Sequence, residues 1–192
     1  HVVRPPPPSH NQMSEILVVD YDPSWPIVFA ALSEAIWPVV DDIAISIEHV
    51  GGTSVPGLAA KPVIDIDVVV RASEATRGIA RLASLGYLHV GDRGIPQREA
   101  FESPASSAPH HLYLCPEGSP ALANHLAIRN YLRTHPGAAL AYGDLKKSLA
   151  RAHQDDREAY TEAKTGFLAA VLRDVGFEDE ALAEIRRMNR KR

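Results

Sequence analysis

A single cysteine, Cys115, occurs in 192 residues. One thiol cannot close an intramolecular disulfide or build a cysteine-rich metal site. No apolar stretch reaches the length of a membrane span, and no signal peptide is evident. The expectation is therefore a cytoplasmic protein with no membrane partner. A surplus of positive charge is also missing: 20 Lys and Arg stand against 24 Asp and Glu, for a formal charge of −4. That balance argues against an extended nucleic-acid surface and leaves only a local basic pocket. Internal repeats are absent. What is present is ordinary for a globular chain: 45% hydrophobic and 23% charged residues, enough for one domain or one domain with a packed extension.

The first dozen residues, "HVVRPPPPSHNQ", contain four consecutive prolines, which favour an extended polyproline conformation and support neither a helix nor a central strand. Residues 1–12 are set aside as a disordered arm or an appended tail, with Met13 a natural starting point. A short apolar run, Ile16 to Val19, reads as a strand. Trp25 to Val40 carries Ile27, Phe29, Leu32, Ile36 and Val39 at helical spacing, with Ser24 as N-cap. Ile43 to Val50 and Val63 to Val70 read as strands. Next comes a helix capped by Ser73 and ended by Gly86, then strands at Tyr87–Val90, Glu99–Glu102 and His111–Cys115. From Pro120 onward the pattern is helical, in segments Pro120–Thr134, Pro136–His153, Asp155–Val175 and Glu178–Met188. This order divides the chain into an α/β core at 13–118 and a helical extension at 119–192 packed on it.

The unusual stretch is "IEHVGGTSVPGLAAKPVIDIDVVV", residues 47–70. A strand ends on Gly51-Gly52, a short loop follows, and the next strand carries Asp65 and Asp67. At positions i and i+2 these two side chains share one face of the strand. Two carboxylates together in an apolar strand call for a partner, and a divalent cation is the natural one. The two glycines leave backbone amides free to approach a phosphate, and Thr53 and Ser54 add hydroxyls. Lys61, in the loop before the aspartates, is within reach of the same site. On the helices, Arg129 and Arg133 are spaced i, i+4, as are Tyr160 and Lys164, with Lys146 between them and Arg98 upstream. Converging, these cations would form a polyphosphate cradle. Bland readings compete with each of these assignments. Strand aspartates also serve structural ion pairs, helix-surface arginines usually aid solubility, and His110 reads as solvent-exposed. Cys115 reads as a core thiol.

A strand ending in Gly-Gly or Gly-Ser, a loop of about a dozen residues, and then Asp-apolar-Asp resembles the signature of the nucleotidyltransferase superfamily related to DNA polymerase β. Within it, "EHVGGTSVPGLAAKPVIDI" is similar to the hallmark of the GrpB-like family, H-[IV]-G-S-T-[AS]-V-P-G-L-x-x-K-P-I-I-D-I. The likeness continues in "YDPSWPIVF", "HHLYLC", "LAIRNYLRTHPGAALAYGDLKKSLA" and "DDREAYTEAKTGFL". Two departures stand out: the usual G-S is Gly51-Gly52, and the usual H-L-H is His111-Leu112-Tyr113.

The resemblance implies an α+β fold: a small mixed β-sheet of nucleotidyltransferase type with flanking helices and a C-terminal helical bundle. It implies metal-dependent nucleotidyl or phosphoryl transfer to a small acceptor. Asp65 and Asp67 would hold the metal, with His111 as third ligand and catalytic group. Gly51, Gly52, Thr53, Ser54, Lys61, Arg129, Arg133, Lys146 and Lys164 would bind the nucleotide. The cofactor would be Mg²⁺ or Mn²⁺, or a transition metal if histidine joins the set. Superfamily enzymes place a third carboxylate on a neighbouring strand; "HHLYLC" has none, and Glu99 and Glu102 are the nearest candidates. The rival readings are a non-catalytic nucleotide- or cofactor-binding module, a partner of a metabolic enzyme (related domains occur fused to dephospho-CoA kinase), and metal-dependent hydrolysis.

Overall fold

The computed structural model describes residues 16–154 and 156–189. The expectations for residues 1–12, Met13 and Asp155 lie outside them. Five strands form one mixed sheet: β1 (Ala44–Val50), β2 (Ile64–Val70), β3 (Leu88–His89), β4 (Glu99–Glu102) and β5 (His110–Pro116). Their spatial order is β1-β2-β5-β4-β3, with β2 and β5 parallel and every other pairing antiparallel. Six α-helices accompany them: α1 (Trp25–Val40), α2 (Ala75–Ala83), α3 (Pro120–Thr134), α4 (Pro136–Ala152), α5 (Arg157–Asp174) and α6 (Asp179–Asn189). No helix among the described residues is long and apolar enough to cross a membrane.

Alternation along β2 and β5 assigns the two faces of the sheet. Ile64, Ile66, Val68 and Val70 join Leu112, Leu114 and Phe101 on one face, where Ile36 and Val40 of α1 and Leu82 of α2 close the main core. Ile27, expected in that core, is 71% exposed. The burying stripe of α1 runs instead through Trp25, Phe29, Leu32, Ile36 and Val40. The opposite face carries Asp65, Asp67, Val69, His111, Tyr113 and Cys115, and α3 lies across it, with Leu122 packed on Val69 and Cys115. A second core joins Val55 and Leu58, from the loop between β1 and β2, to Leu132 of α3 and Ala139 and Tyr142 of α4.

Three local expectations are corrected. The run at Ile16–Val19 makes only one bridge, Val19 with Ala60, because a single partner residue lies beside it. Ser73 does not cap α2: it sits inside a 3₁₀ turn, Ala72–Glu74, that leads into the helix. Ser24 is the residue before α1, but its own amide donates to Asp22 Oδ1 at 2.8 Å and its hydroxyl makes no capping bond.

Candidate functional site

The glycine turn that follows β1 is shaped by the first aspartate. Gly51 has φ 70°, in the region that favours glycine. A Cβ added there would lie 2.2 Å from Asp65 Oδ2, so a side chain at this position would collide with the carboxylate. At Gly52 a Cβ would come within 2.9 Å of both Ala60 Cβ and Lys146 Nζ. The turn thus brings backbone, carboxylate and ammonium together at one point. Residues Gly52–Ser54 close it as a 3₁₀ turn.

The carboxylates are each met by a histidine. His111 Nδ1–H donates to Asp65 Oδ1 at 2.9 Å, across the parallel β2–β5 pair where the two residues are in register. His125 of α3 donates its Nδ1–H to Asp67 Oδ2 at 2.7 Å. Asp67 is wholly buried under α3, and its Oδ1 has no hydrogen-bond partner. A buried acceptor left unsatisfied is costly, roughly 1–3 kcal/mol. In both imidazoles Nδ1 is engaged and Nε2 is left for another group.

Asp65, His111, His125 and the two glycines line a cleft of about 380 Å³ between the sheet and helices α3, α4 and α5, while Asp67 is buried behind His125 and does not reach its surface. Lys61, Lys146, Lys164 and Arg98 line it too, and each sits over an aromatic ring. Lys61 and Lys164 Nζ are 4.6 and 4.5 Å from the centroid of Tyr160, Lys146 Nζ is 4.7 Å from that of Tyr142, and the Arg98 guanidinium is 4.3 Å from that of Tyr113. Ring faces hold cations in place with less neutralisation than a carboxylate gives. Burial, together with the nearby Lys164 charge, brings the Lys146 amine down from 10.5 to about 7. Lys61 is lowered as well, by burial and by Arg157.

Several expected residues lie elsewhere. Arg129 and Arg133 do not line the cleft. The Arg129 guanidinium binds Glu48 Oε2 at 2.7 Å and the His49 carbonyl at 3.2 Å, while Arg133 Nε donates to the Ser54 carbonyl at 2.9 Å. Both arginines tie α3 to β1 and the glycine turn. Thr53 and Ser54 are buried, with Thr53 Oγ1 bonded to His49 Nε2 at 2.9 Å and Ser54 Oγ donating to the Gly51 carbonyl at 2.6 Å. Their hydroxyls hold the turn together, and neither residue lines the cleft. His49 stacks on Phe29, and burial with the Arg133 charge lowers its pKa to about 4. His110 is buried, not exposed: its Nδ1–H donates to the Ala108 carbonyl and its Nε2 accepts from the Tyr87 hydroxyl. Glu99 is opposite Leu114 on the core-facing side and pairs with His89, and Glu102 pairs with Arg93 at the far edge. Neither glutamate supplies a third carboxylate. The β5 positions in register with Asp65 and Asp67 are His111 and Tyr113.

His125 and Asn124 went unnoticed in the sequence. His125 precedes Arg129 and Arg133 by one and two helical steps of four, so the three form a single stripe facing the sheet. That spacing was the available signal.

Among the described residues, no group of three or more His, Cys, Asp or Glu side chains is arranged to hold a metal alone. The donor set still fits a hard divalent cation: two carboxylates on one strand face, one with a buried oxygen lacking a partner. Mg²⁺ commonly uses one or two carboxylates and completes its shell with phosphate oxygens and water. With both imidazoles donating to the carboxylates, Mg²⁺ or Mn²⁺ matches the site better than a nitrogen-seeking metal.

The sheet order and the paired aspartates after a glycine turn define a nucleotidyltransferase-type fold. Cid1 poly(U) polymerase shares it at a TM-score of 0.54 and 13% identity, over 81% of this chain and 49% of that one. Residues 15–174 match the family model described as GrpB protein, and the chain belongs to that family. The structure of the conserved protein GrpB from Enterococcus faecalis is similar at a TM-score of 0.73 and 33% identity, over 88% of this chain and 99% of that chain. The UPF0157 protein YqkA of Bacillus subtilis is 35% identical over 151 residues, 78% of this chain; the match spans 44% of that relative's length.

Proposed function

We propose that this protein transfers a nucleotidyl or related phosphoryl group from a nucleotide to a small acceptor, with a divalent cation at Asp65 and Asp67. The observation that carries this reading is the juxtaposition at Gly51-Gly52. An exposed glycine backbone, the Asp65 carboxylate and the Lys146 ammonium meet there, at the mouth of a cleft that also holds Lys61 and Lys164. Bound there, a divalent cation would polarise the phosphoryl oxygens and offset charge on the reacting phosphate. The chain's own residues do the rest. Lys61, Lys146 and Lys164 would bind the polyphosphate and stabilise the departing pyrophosphate. The acceptor hydroxyl oxygen bonds to the α-phosphorus as that atom's bond to the pyrophosphate oxygen breaks. The hydroxyl proton passes to a nearby base, a role that an aspartate or the Nε2 of His111 would fill.

A second reading is a non-catalytic nucleotide- or cofactor-binding module, with a protein partner supplying the chemistry. It is favoured by His111 and Tyr113 standing on β5 where a third carboxylate would pair with the aspartates. Calorimetric titration of nucleoside triphosphates, with and without Mg²⁺ or Mn²⁺, tests both readings against Asp65→Asn/Asp67→Asn. Metal-dependent binding abolished in the double variant is the expected result. A folded wild-type protein that binds no nucleotide overturns the nucleotide site. Binding followed by no release of pyrophosphate across a panel of hydroxyl acceptors favours the module.

A further inference from the structure

We propose that the end of the cleft beside β5 and β4 is a separate acceptor subsite, in which Asn124 and the Arg98–Tyr113 stack take a small hydroxyl-bearing anion. This rests on the nucleotide reading above and extends it to the second substrate.

The cleft is polarised across the sheet. Gly51-Gly52 and Lys146 lie at the β1 side, the aspartates on β2, His111 and Tyr113 on β5, and Arg98 just before β4. Strands are about 4.8 Å apart, so Arg98 enters about 10 Å from the aspartate column, on the side away from the glycine turn. Helix α3 runs the same way: His125 touches Asp67 on β2, whereas Arg129 and Arg133 reach β1 and the glycine turn. Asn124, at the other end of that helix, therefore belongs to the β5 side. In-line displacement at phosphorus puts the leaving group and the attacking oxygen on opposite sides. With pyrophosphate at the lysines, the attacking molecule comes from the side of Arg98 and Asn124.

The lining there is specific. Asn124 borders the cleft; its Oδ1 has no hydrogen-bond partner within the protein, so a small turn of the amide toward the cleft would let it accept from a hydroxyl or amine on the ligand. Arg98 is 2% exposed and stacked on Tyr113, and a guanidinium at a cleft wall favours a carboxylate or phosphate. Gln97, immediately before it, has φ 58°, a backbone conformation unfavourable for a residue with a Cβ. The 91–98 loop holds that conformation at the point where the chain turns Arg98 inward. Ile95 from the same loop adds an apolar wall.

The test uses glycerol 3-phosphate as probe, with glycerol and propyl phosphate as controls. Binding is followed by ligand-observed NMR on the full chain, alone and with Mg²⁺ and a non-hydrolysable ATP analogue. The subsite predicts that glycerol 3-phosphate binds while the analogue is bound and that each control binds more weakly. Asn124→Leu should weaken the probe about tenfold, leave analogue affinity unchanged and keep the melting temperature. Asn124→Asp should weaken it further by placing an anion beside the ligand's own. Probe binding that disappears once the analogue is present, or that is unaffected in both Asn124 variants, overturns the subsite. Failure of the analogue to bind at all, with the probe still sensitive to Asn124→Leu, rejects the nucleotide reading and keeps the subsite.

Discussion

Two residues show how strictly local packing sets chemistry here. Cys115 is fully buried on the site face of β5, and burial, with the Asp67 charge nearby, drives its thiol far above the ordinary range. A thiol held protonated and out of solvent is inert. Native protein should therefore resist iodoacetamide at mildly alkaline pH and label fully in denaturant; rapid labelling of the folded chain would contradict this burial. Gly51 is the opposite case, a residue whose missing side chain is the point. Gly51→Ala must find room for a Cβ 2.2 Å from Asp65 Oδ2 at a φ of 70°. The variant should lose roughly 2 kcal/mol or more in denaturant unfolding. It should also weaken Mg²⁺-dependent nucleotide binding, because the carboxylate has to move. Unchanged affinity in a destabilised variant would separate the turn from the site.

At the scale of elements, α3 is the piece that makes a site out of a sheet. Its stripe of His125, Arg129 and Arg133 meets in turn Asp67, Glu48 with the His49 carbonyl, and the Ser54 carbonyl. Burial alone would raise the Glu48 carboxyl, but the Arg129 hydrogen bond and charge hold it below its usual value. Arg129→Ala leaves that carboxylate unpaired in a partly buried place and should cost about 1–3 kcal/mol. Nucleotide affinity should stay within about threefold, measured by calorimetry, since a lost charge at this distance from the cleft leaves direct contacts intact. A large loss of affinity with intact stability would return Arg129 to the phosphate cradle. Much of this element-level plan is legible in the sequence. Pro120 marks where α3 starts, and the alternation of β2 puts Asp65 and Asp67 on one face. What is not legible is which surface a helix stripe meets. Arginines at i, i+4 read equally well as a cradle or as struts, and His125 gains its meaning only once Asp67 lies beneath it. The same limit hid the roles of Thr53 and Ser54, whose hydroxyls turn inward because the 3₁₀ turn closes on itself.

For the whole molecule, holding a cluster of cations in a cleft opposes folding, and the pH dependence of stability should reveal it. Lys146 has its amine lowered from 10.5 to about 7 by burial and the Lys164 charge, with only Asp65 pulling the other way. The unfolded chain therefore binds more protons than the native one between those values. Stability rises with pH across that window, and the full cost of charging Lys146 is felt below about pH 7. His49, lowered from 6.5 to about 4, works in the same direction at lower pH: its contribution is complete above 6.5 and is lost as pH falls toward 4. Lys146→Met removes the first effect while keeping most of the side chain's packing against Tyr142. The variant should melt higher than wild type at neutral and mildly acidic pH and converge with it near the unfolded lysine's pKa. A polyphosphate ligand reverses the balance, because an anion in the cleft stabilises the charged amine. Mg²⁺ with ATP should raise the wild-type melting temperature most below pH 7 and should take up protons at higher pH, measurable by calorimetry in buffers of different ionisation enthalpy. The Met variant should show neither effect. A Lys146→Met protein that is less stable than wild type at neutral pH, yet still stabilised by nucleotide, would make this lysine a packing residue and move the phosphate site away from Gly52.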